Sequence, residues 1–335
     1  MNSHPNSNRR QPKRSLAYKT AQVGSFHSLP PRPPSSLTTT NNDKIKHAVK
    51  HCVKIRTQRS YREANQSVIL TGTDLLEELA PAGHIDIATL FHIKTHPPPS
   101  FLSSTSSRII AVSEQVMSKI TGLESVHPST LAAEISLPED ADFLKPTSTT
   151  TTKRLLVLER CQDPGNVGTL LRTALALGWD GVLALPGCAD RFNDKAIRAS
   201  RGACFKVPFA SVDSLDEFEE IVRTNNLIAL AADVAATHST SSGITTSTDN
   251  NDTEHIDSSS SNGVCLVLGS EGQGVSDEVV ERCAAVVSIP LLGDMESLNV
   301  ASAGAILMYV LSGNTRALES SLIRILRRSD GGGGK

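Results

Sequence analysis

The sequence predicts an α/β protein: a parallel-sheet domain in the C-terminal half, preceded by a smaller α/β unit. Two observations carry this. From 154 onward, short runs with an apolar centre (RLLVLER, GVLAL, LIALAADV, VCLVLG) alternate with helical stretches such as TLLRTALALG and SLDEFEEIVRTN. Strands apolar on every residue and separated by helices are covered on both faces, as in a parallel sheet. Before that, SVILTG, HIDIATLF and RIIAVS alternate with the short helices TDLLEELA, capped by Thr73, and EQVMSKITGL, with PPPSFLSSTSS as a loop.

The 335 residues, 39% hydrophobic, suffice for two domains by the rough rule of 100–200 residues each. Net charge is -2, but unevenly spread: up to Gln66 the only acids are Asp43 and Glu63, against thirteen Lys and Arg. Residues 1–42 hold no other class of charge than cations and are rich in Ser, Thr and Pro. Such a leader predicts a disordered organellar transit peptide, plastid ahead of mitochondrion. A basic tail gripping RNA in the cytoplasm or nucleus is the alternative.

Residues 43–141 form the expected first domain. Lys44 to Arg62 reads as one helix with an apolar stripe of Ile45, Val49, Cys52 and Val53. Lys50, Lys54, Arg56, Arg59 and Arg62 occupy its other faces, with Tyr61 available to stack, so these five are candidate RNA contacts. A solvated outer face is the bland reading. The unit shows no catalytic cluster, and recognition is its expected role. A Thr-rich linker (142–152) precedes the second domain (153–328), which carries a polar, disordered-looking insertion at 236–262 and ends before a loose tail at 329–335.

Six cysteines without a CxxC pair read as reduced core residues, and no metal is expected. No run reaches the roughly 18 apolar residues of a membrane helix. All ten histidines lie outside the α/β core, His238 and His255 falling in the insertion. A Ser-His-Asp hydrolase or His-ligated zinc enzyme is therefore excluded as a reading.

Three stretches remain for chemistry. In DPGNVGTLLRTA, Asn166 sits in a loop and Arg172 about two turns into the following helix. Flanked by Leu170, Leu171 and Ala174, Arg172 needs an anion, either a phosphate or a structural Asp. In LGSEGQG, the glycines let backbone approach a ligand, or form a plain strand-to-helix turn; Glu271 there would repel a dinucleotide pyrophosphate. In SIPLLGDMESLNVASAGAILMYVL, a strand over Val286–Ile289 is stopped by Pro290, and a polar turn leads into a buried helix. Ser297 is the expected cap, with Asn299 in the first turn.

NVGTLLRTA, LVLGSEGQG and SIPLLGDMESLNVASAGAILMYVL resemble, in order, the three signature motifs of SpoU/TrmH-type RNA 2'-O-ribose methyltransferases of the SPOUT class. They span about 160–311. The resemblance implies a deep trefoil knot, a homodimer, and S-adenosylmethionine held by backbone around Leu268, Gly269, Ile289, Gly293 and Leu298. It also implies catalytic roles for Asn166, Arg172, Glu271, Ser297 and Asn299. The expected substrate is rRNA, ahead of tRNA, because a separate recognition domain is present. Thr169 and Ala301 depart from residues often found beside the first and third motifs. A catalytically silent knotted RNA-binding factor is the alternative, and a nicotinamide enzyme a third, resting on the Gly loop alone.

Overall fold

In a computed structural model, residues 41–106, 108–145, 152–232, 263–291, 294–312 and 324–327 are described. Nearly all of the expected leader, the middle of the linker, the 236–262 insertion, the tail and Gly293 lie outside the described residues.

Where one helix is expected over 44–62, two form: α1 (Asn41–Thr57) and α2 (Arg59–Asn65). Gln58 between them is extended, at φ -123 and ψ 111. Arg62 explains the break, because its Nη1 donates to the carbonyls of Ile55 (2.6 Å) and Arg56 (3.0 Å) at the end of α1. Those carbonyls have no partner within their own helix.

The unit continues with β1 (Ser67–Thr71), α3 (Thr73–Leu79), β2 (Ile87–Ile93), α4 (Ser100–Thr105), β3 (Ile109–Val112), α5 (Glu114–Thr121) and β4 (Ala132–Ser136). Helix α4 stands where a loop is expected. Thr73 does not cap α3: Gly72 holds that position, and the Thr73 hydroxyl donates to the Ser129 carbonyl at 2.8 Å. The sheet order is β1-β4-β2-β3, with only β2 and β3 parallel. Strand β4 carries Glu134, 2.9 Å from His51 Nε2, which ties α1 to the sheet.

The second sheet has the order β11-β10-β8-β9-β5-β6-β7. Its elements in sequence are β5 (Arg154–Leu158), α6 (Pro164–Ala176), β6 (Gly181–Ala184), α7 (Asp194–Ser200), β7 (Phe209–Ser211), α8 (Leu215–Thr224), β8 (Leu227–Ala232), β9 (Gly263–Leu268), α9 (Asp277–Val280), β10 (Ala285–Ser288), α10 (Val300–Leu311) and β11 (Arg324–Arg327). Strands β5 to β10 are parallel to their neighbours, and β11 adds an antiparallel edge.

The alternation along β5 shows why its sequence is apolar from Leu155 to Leu158. Leu156 and Leu158 join a core with α6, α7 and α10, while Leu155 and Val157 join a second core with Phe218 and Ile221 of α8 and Val279 of α9. Each such side chain contributes roughly 1.5–3 kcal/mol on burial. The first core runs without interruption into the N-terminal unit through Leu70, Leu76, Leu79, Leu90 and Ile135. Ion pairs Arg62–Asp190, Glu78–Lys206 and Asp140–Arg191 close the same junction.

Candidate active site

Parallel strands place their carboxyl ends on one edge, where open α/β sheets bind ligands. The registers Val287↔Ala232, Ala232↔Leu268 and Leu268↔Leu158 put the loops after β10, β9 and β5 there together.

The loop after β5 is short, because α6 begins at Pro164, earlier than the sequence suggests. Asp163 caps it, accepting from the Gly165 amide at 2.8 Å, and Pro164 occupies the position where proline costs no hydrogen bond. Lys195 Nζ donates to the same carboxylate at 2.7 Å. That contact is the main reason the Asp163 carboxyl sits below its usual range. Asn166 therefore lies in the first helical turn, not in a loop.

From that turn Asn166 reaches both other motifs. Its Nδ2 donates to Glu271 Oε1 at 2.6 Å, and its Oδ1 accepts from Asn299 Nδ2 at 3.1 Å. Asn299, not Ser297, caps α10: its Oδ1 accepts from the amides of Ala301 (2.9 Å) and Ser302 (3.4 Å). The Asn side chain reaches the free amides from the residue directly before Val300, whereas Ser297 is two residues further out. Ser297 is exposed and forms no side-chain hydrogen bond among the described residues.

Arg172 is also exposed. Helix α6 buries Val167, Gly168, Leu170, Leu171 and Ala174 and leaves Thr169 and Arg172 outside. The expectation that its charge is costly within an apolar helix is corrected: the helix is amphipathic and the guanidinium stays in water. No carboxylate pairs with it among the described residues, so the structural Arg–Asp reading fails.

Glu271 sits on a small hairpin, closed by reciprocal bonds between Ser270 and Gly274 at 3.0 and 3.1 Å. A Cβ on Gly269 would lie 2.0 Å from the Gly274 carbonyl carbon. A side chain at 269 would therefore block the closure of this loop.

Two supports of this hairpin escaped the sequence reading. Glu159, 6% exposed at the end of β5, accepts from the Ser276 amide (2.8 Å), the Ser276 hydroxyl (2.6 Å) and Arg160 Nη2 (2.9 Å). A lone acid closing an apolar strand was the available signal. Cys161, fully buried, lies with Sγ 3.9 Å from Glu271 Oε1. Burial first, and the Glu271 charge second, push its thiol far above the ordinary range.

Of the residues expected to hold a cofactor, Leu268 ends β9, Gly269 and Ile289 directly follow β9 and β10 at the same sheet edge, and Leu298 precedes the α10 cap. Gly304 draws α10 against the sheet, since a Cβ there would meet Leu268 Cδ1 and Leu170 Cδ2 at 2.6 Å. Leu298 is 39% and Met295 73% exposed, apolar side chains left uncovered beside backbone polar groups. An adenosine with a thioether-like tail fits such a donor set: apolar walls with main-chain donors and acceptors.

The proposed RNA contacts divide. Lys50 and Lys54 are exposed, with Lys54 Nζ 5.2 Å from the Tyr61 ring centroid. Arg59 is exposed and pairs with Glu63 at 2.7 Å. Arg62 is buried against Asp190, and Arg56 is largely buried 3.8 Å from Asp194. Both fasten the two units together, which corrects their assignment as RNA contacts. Among the described residues no helix is long and apolar enough to cross a membrane.

Comparison with known proteins agrees with this geometry. The SpoU rRNA Methylase family matches residues 153–309. The 23S rRNA (guanosine(2553)-2'-O)-methyltransferase RlmP of Bacillus subtilis is 30% identical over 265 residues, covering 79% of this chain and 96% of the relative. An uncharacterised tRNA/rRNA methyltransferase of Synechocystis is 30% identical over 280 residues, covering 82% and 92%. In fold, the chain is similar to the SpoU methyltransferase AviRb of Streptomyces viridochromogenes, solved with AdoMet: TM-score 0.65, 22% identity, 79% of this chain and 97% of that one. Fold and site thus define an α/β methyltransferase with its three loops gathered at the carboxyl edge of a parallel sheet. The chain belongs to the SpoU rRNA methylase family.

Proposed function

We propose that the protein methylates a ribose 2'-hydroxyl of rRNA with S-adenosylmethionine as donor. The observation that carries this is the Glu271–Asn166–Asn299 chain of hydrogen bonds, which joins all three loops; Arg172, on the same helix as Asn166, forms no ion pair among the described residues. Transfer forms a bond from O2' to the methyl carbon, breaks the carbon–sulfur bond, and releases the hydroxyl proton. When bound, S-adenosylmethionine supplies an electrophilic methyl on a positive sulfur.

The chain's own residues supply position. Arg172 binds the phosphate beside the target ribose through its guanidinium, favouring the alkoxide form of O2'. Asn166 fixes the rotamer of Glu271, and Asn299 fixes Asn166. Ser297, exposed and without an internal partner, faces the ribose. Backbone at Leu268, Gly269, Ile289, Gly293 and Leu298 holds the donor. An in-line approach held this way supplies most of the rate, since well-oriented reactants recover about 7–11 kcal/mol.

Three further parts complete the reading. The C-terminal strands thread into a trefoil knot. Two copies pair through the outer face of α10, where Ile306 (37%) and Tyr309 (48%) lie exposed. The acid-free leader directs the protein to an organelle, plastid ahead of mitochondrion.

The test is incubation of the protein with labelled S-adenosylmethionine and ribosomal RNA, followed by nucleoside analysis. A 2'-O-methyl nucleoside supports the reading. Label on a base, or none with RNA binding retained, overturns it.

A further inference from the structure

We propose that α7 carries a phosphate track, built from Lys195, Arg198 and Arg201, that leads RNA from the basic N-terminal helix to the site at α6. The inference rests on the reading of the protein as an RNA methyltransferase.

Position is the first argument. Among the described residues, α7 touches the site and the N-terminal unit at once. A Cβ on Gly165 of α6 would lie 3.0 Å from Lys195 Cε, and one on Gly168 would lie 2.3 Å from the Ala196 carbonyl and 3.0 Å from the Ser200 amide. The pairing climbs in the same direction on both helices. One turn further along α6 lies Arg172, and the turn Ala203–Phe205 that follows α7 also packs on α6. On the other side, Asp194 of α7 lies 3.8 Å from Arg56 of α1, and a Cβ on Gly202 would lie 3.2 Å from Leu79 of α3. Helix α7 thus lies between α1, which carries Lys50 and Lys54, and α6, which carries Arg172.

Charge is the second. Lys195 and Arg198 are more than half exposed, at 58% and 54% of their side chains. Arg201 is exposed in the left-handed region, φ 47, and forms no close ion pair among the described residues. Asp163 and Asp194 hold Lys195 and Arg198 at 2.7 and 2.5 Å. Lys195, Arg198 and Arg201 thus bring three cations against two carboxylates. The acids orient the row without cancelling it, and half-exposed guanidinium groups are well suited to phosphate.

Chemistry is the third. The row presents neither exposed aromatic nor amide side chains, so it grips backbone and carries no sequence information. It sets register, and the bases are read elsewhere.

The experiment compares the full chain with its Arg198→Gln/Arg201→Gln variant, using a fluorescein-labelled rRNA stem-loop across a salt series. Arg223→Gln, on the opposite face of the sheet, is the control. The variant is expected to bind RNA about tenfold more weakly and to lose about one unit of log–log salt slope per phosphate contact removed. KM for RNA rises accordingly, while kcat, the Kd for S-adenosylmethionine and the Tm stay at wild-type values. An unchanged Kd and slope overturn the track, as does equal weakening by Arg223→Gln. Wild-type binding with this slope but without methyl transfer defeats the functional reading and leaves the track standing.

Discussion

Asn166 holds Glu271 in place: its Nδ2 donates to Oε1 at 2.6 Å, across 105 residues of sequence. The same carboxamide accepts from Asn299 at 3.1 Å, so one side chain sets the relative position of three loops. Asn166→Ala removes both bonds at once. A loop displaced by about 1 Å costs on the order of 100-fold in rate, so kcat is expected to fall by about that factor. Donor affinity, measured by calorimetry, should change little because the donor is held by backbone.

Glu159 acts one step further out. Its carboxylate takes three donors, two of them from Ser276, at the foot of the hairpin that carries Glu271. Hydrogen bonds to charged groups contribute about 1.5–3 kcal/mol each. Glu159→Gln keeps the shape but replaces one accepting oxygen with a donor facing other donors. Thermal or urea unfolding should show a loss of about that size, with kcat reduced and Glu159→Asp restoring part of it.

Gly168 is the point of closest approach between α6 and α7. A Cβ there would stand 2.3 Å from a backbone carbonyl and 2.8 Å from Ala199 Cβ, neither of which can swing away. Gly168→Ala should destabilise the fold by about 1–3 kcal/mol, read from the urea midpoint. Because the shift moves α6, it should also lower activity before the protein unfolds.

The thiols offer a test by pH. Burial, the largest cause throughout, raises the Cys52 and Cys204 thiols to about 12 and Cys188 to about 11, and holds Cys161 and Cys265 well above the ordinary range. A raised folded-state value keeps the neutral thiol through physiological pH, and the thiolate is the reactive form. Labelling of these five by iodoacetamide at pH 8 should track global unfolding. A fast phase on Cys161 would show that the pocket around Glu271 is open.

The fold was legible in the sequence where burial dictates composition. Runs such as 155–158 and 264–268 are apolar on every residue because both faces are covered, and their pattern leaves little choice. Strand β4 was missed because its five residues include a charge, Glu134, whose partner His51 is 83 residues away. The break at Gln58 was missed for a similar reason: Arg62, read as one more surface cation, turns inward to two carbonyls and Asp190. Local periodicity cannot separate a cation that faces water from one that ties two units together. The site residues were legible as types, but their partners were not. That Asn299 rather than Ser297 caps α10, and that Arg172 is solvated rather than buried, follow from packing that only the assembled helices define.

The most direct measurement is methyl transfer from labelled S-adenosylmethionine to rRNA by wild-type protein and by Arg172→Ala, read as 2'-O-methyl nucleoside. Arg172 lies on the exposed face of α6 and forms no ion pair among the described residues, so its removal should leave the Tm and donor affinity unchanged. The account predicts 2'-O-methylation by the wild type and its loss, by about 100-fold or more, in the variant. Transfer by Arg172→Ala at a rate near wild type would contradict it.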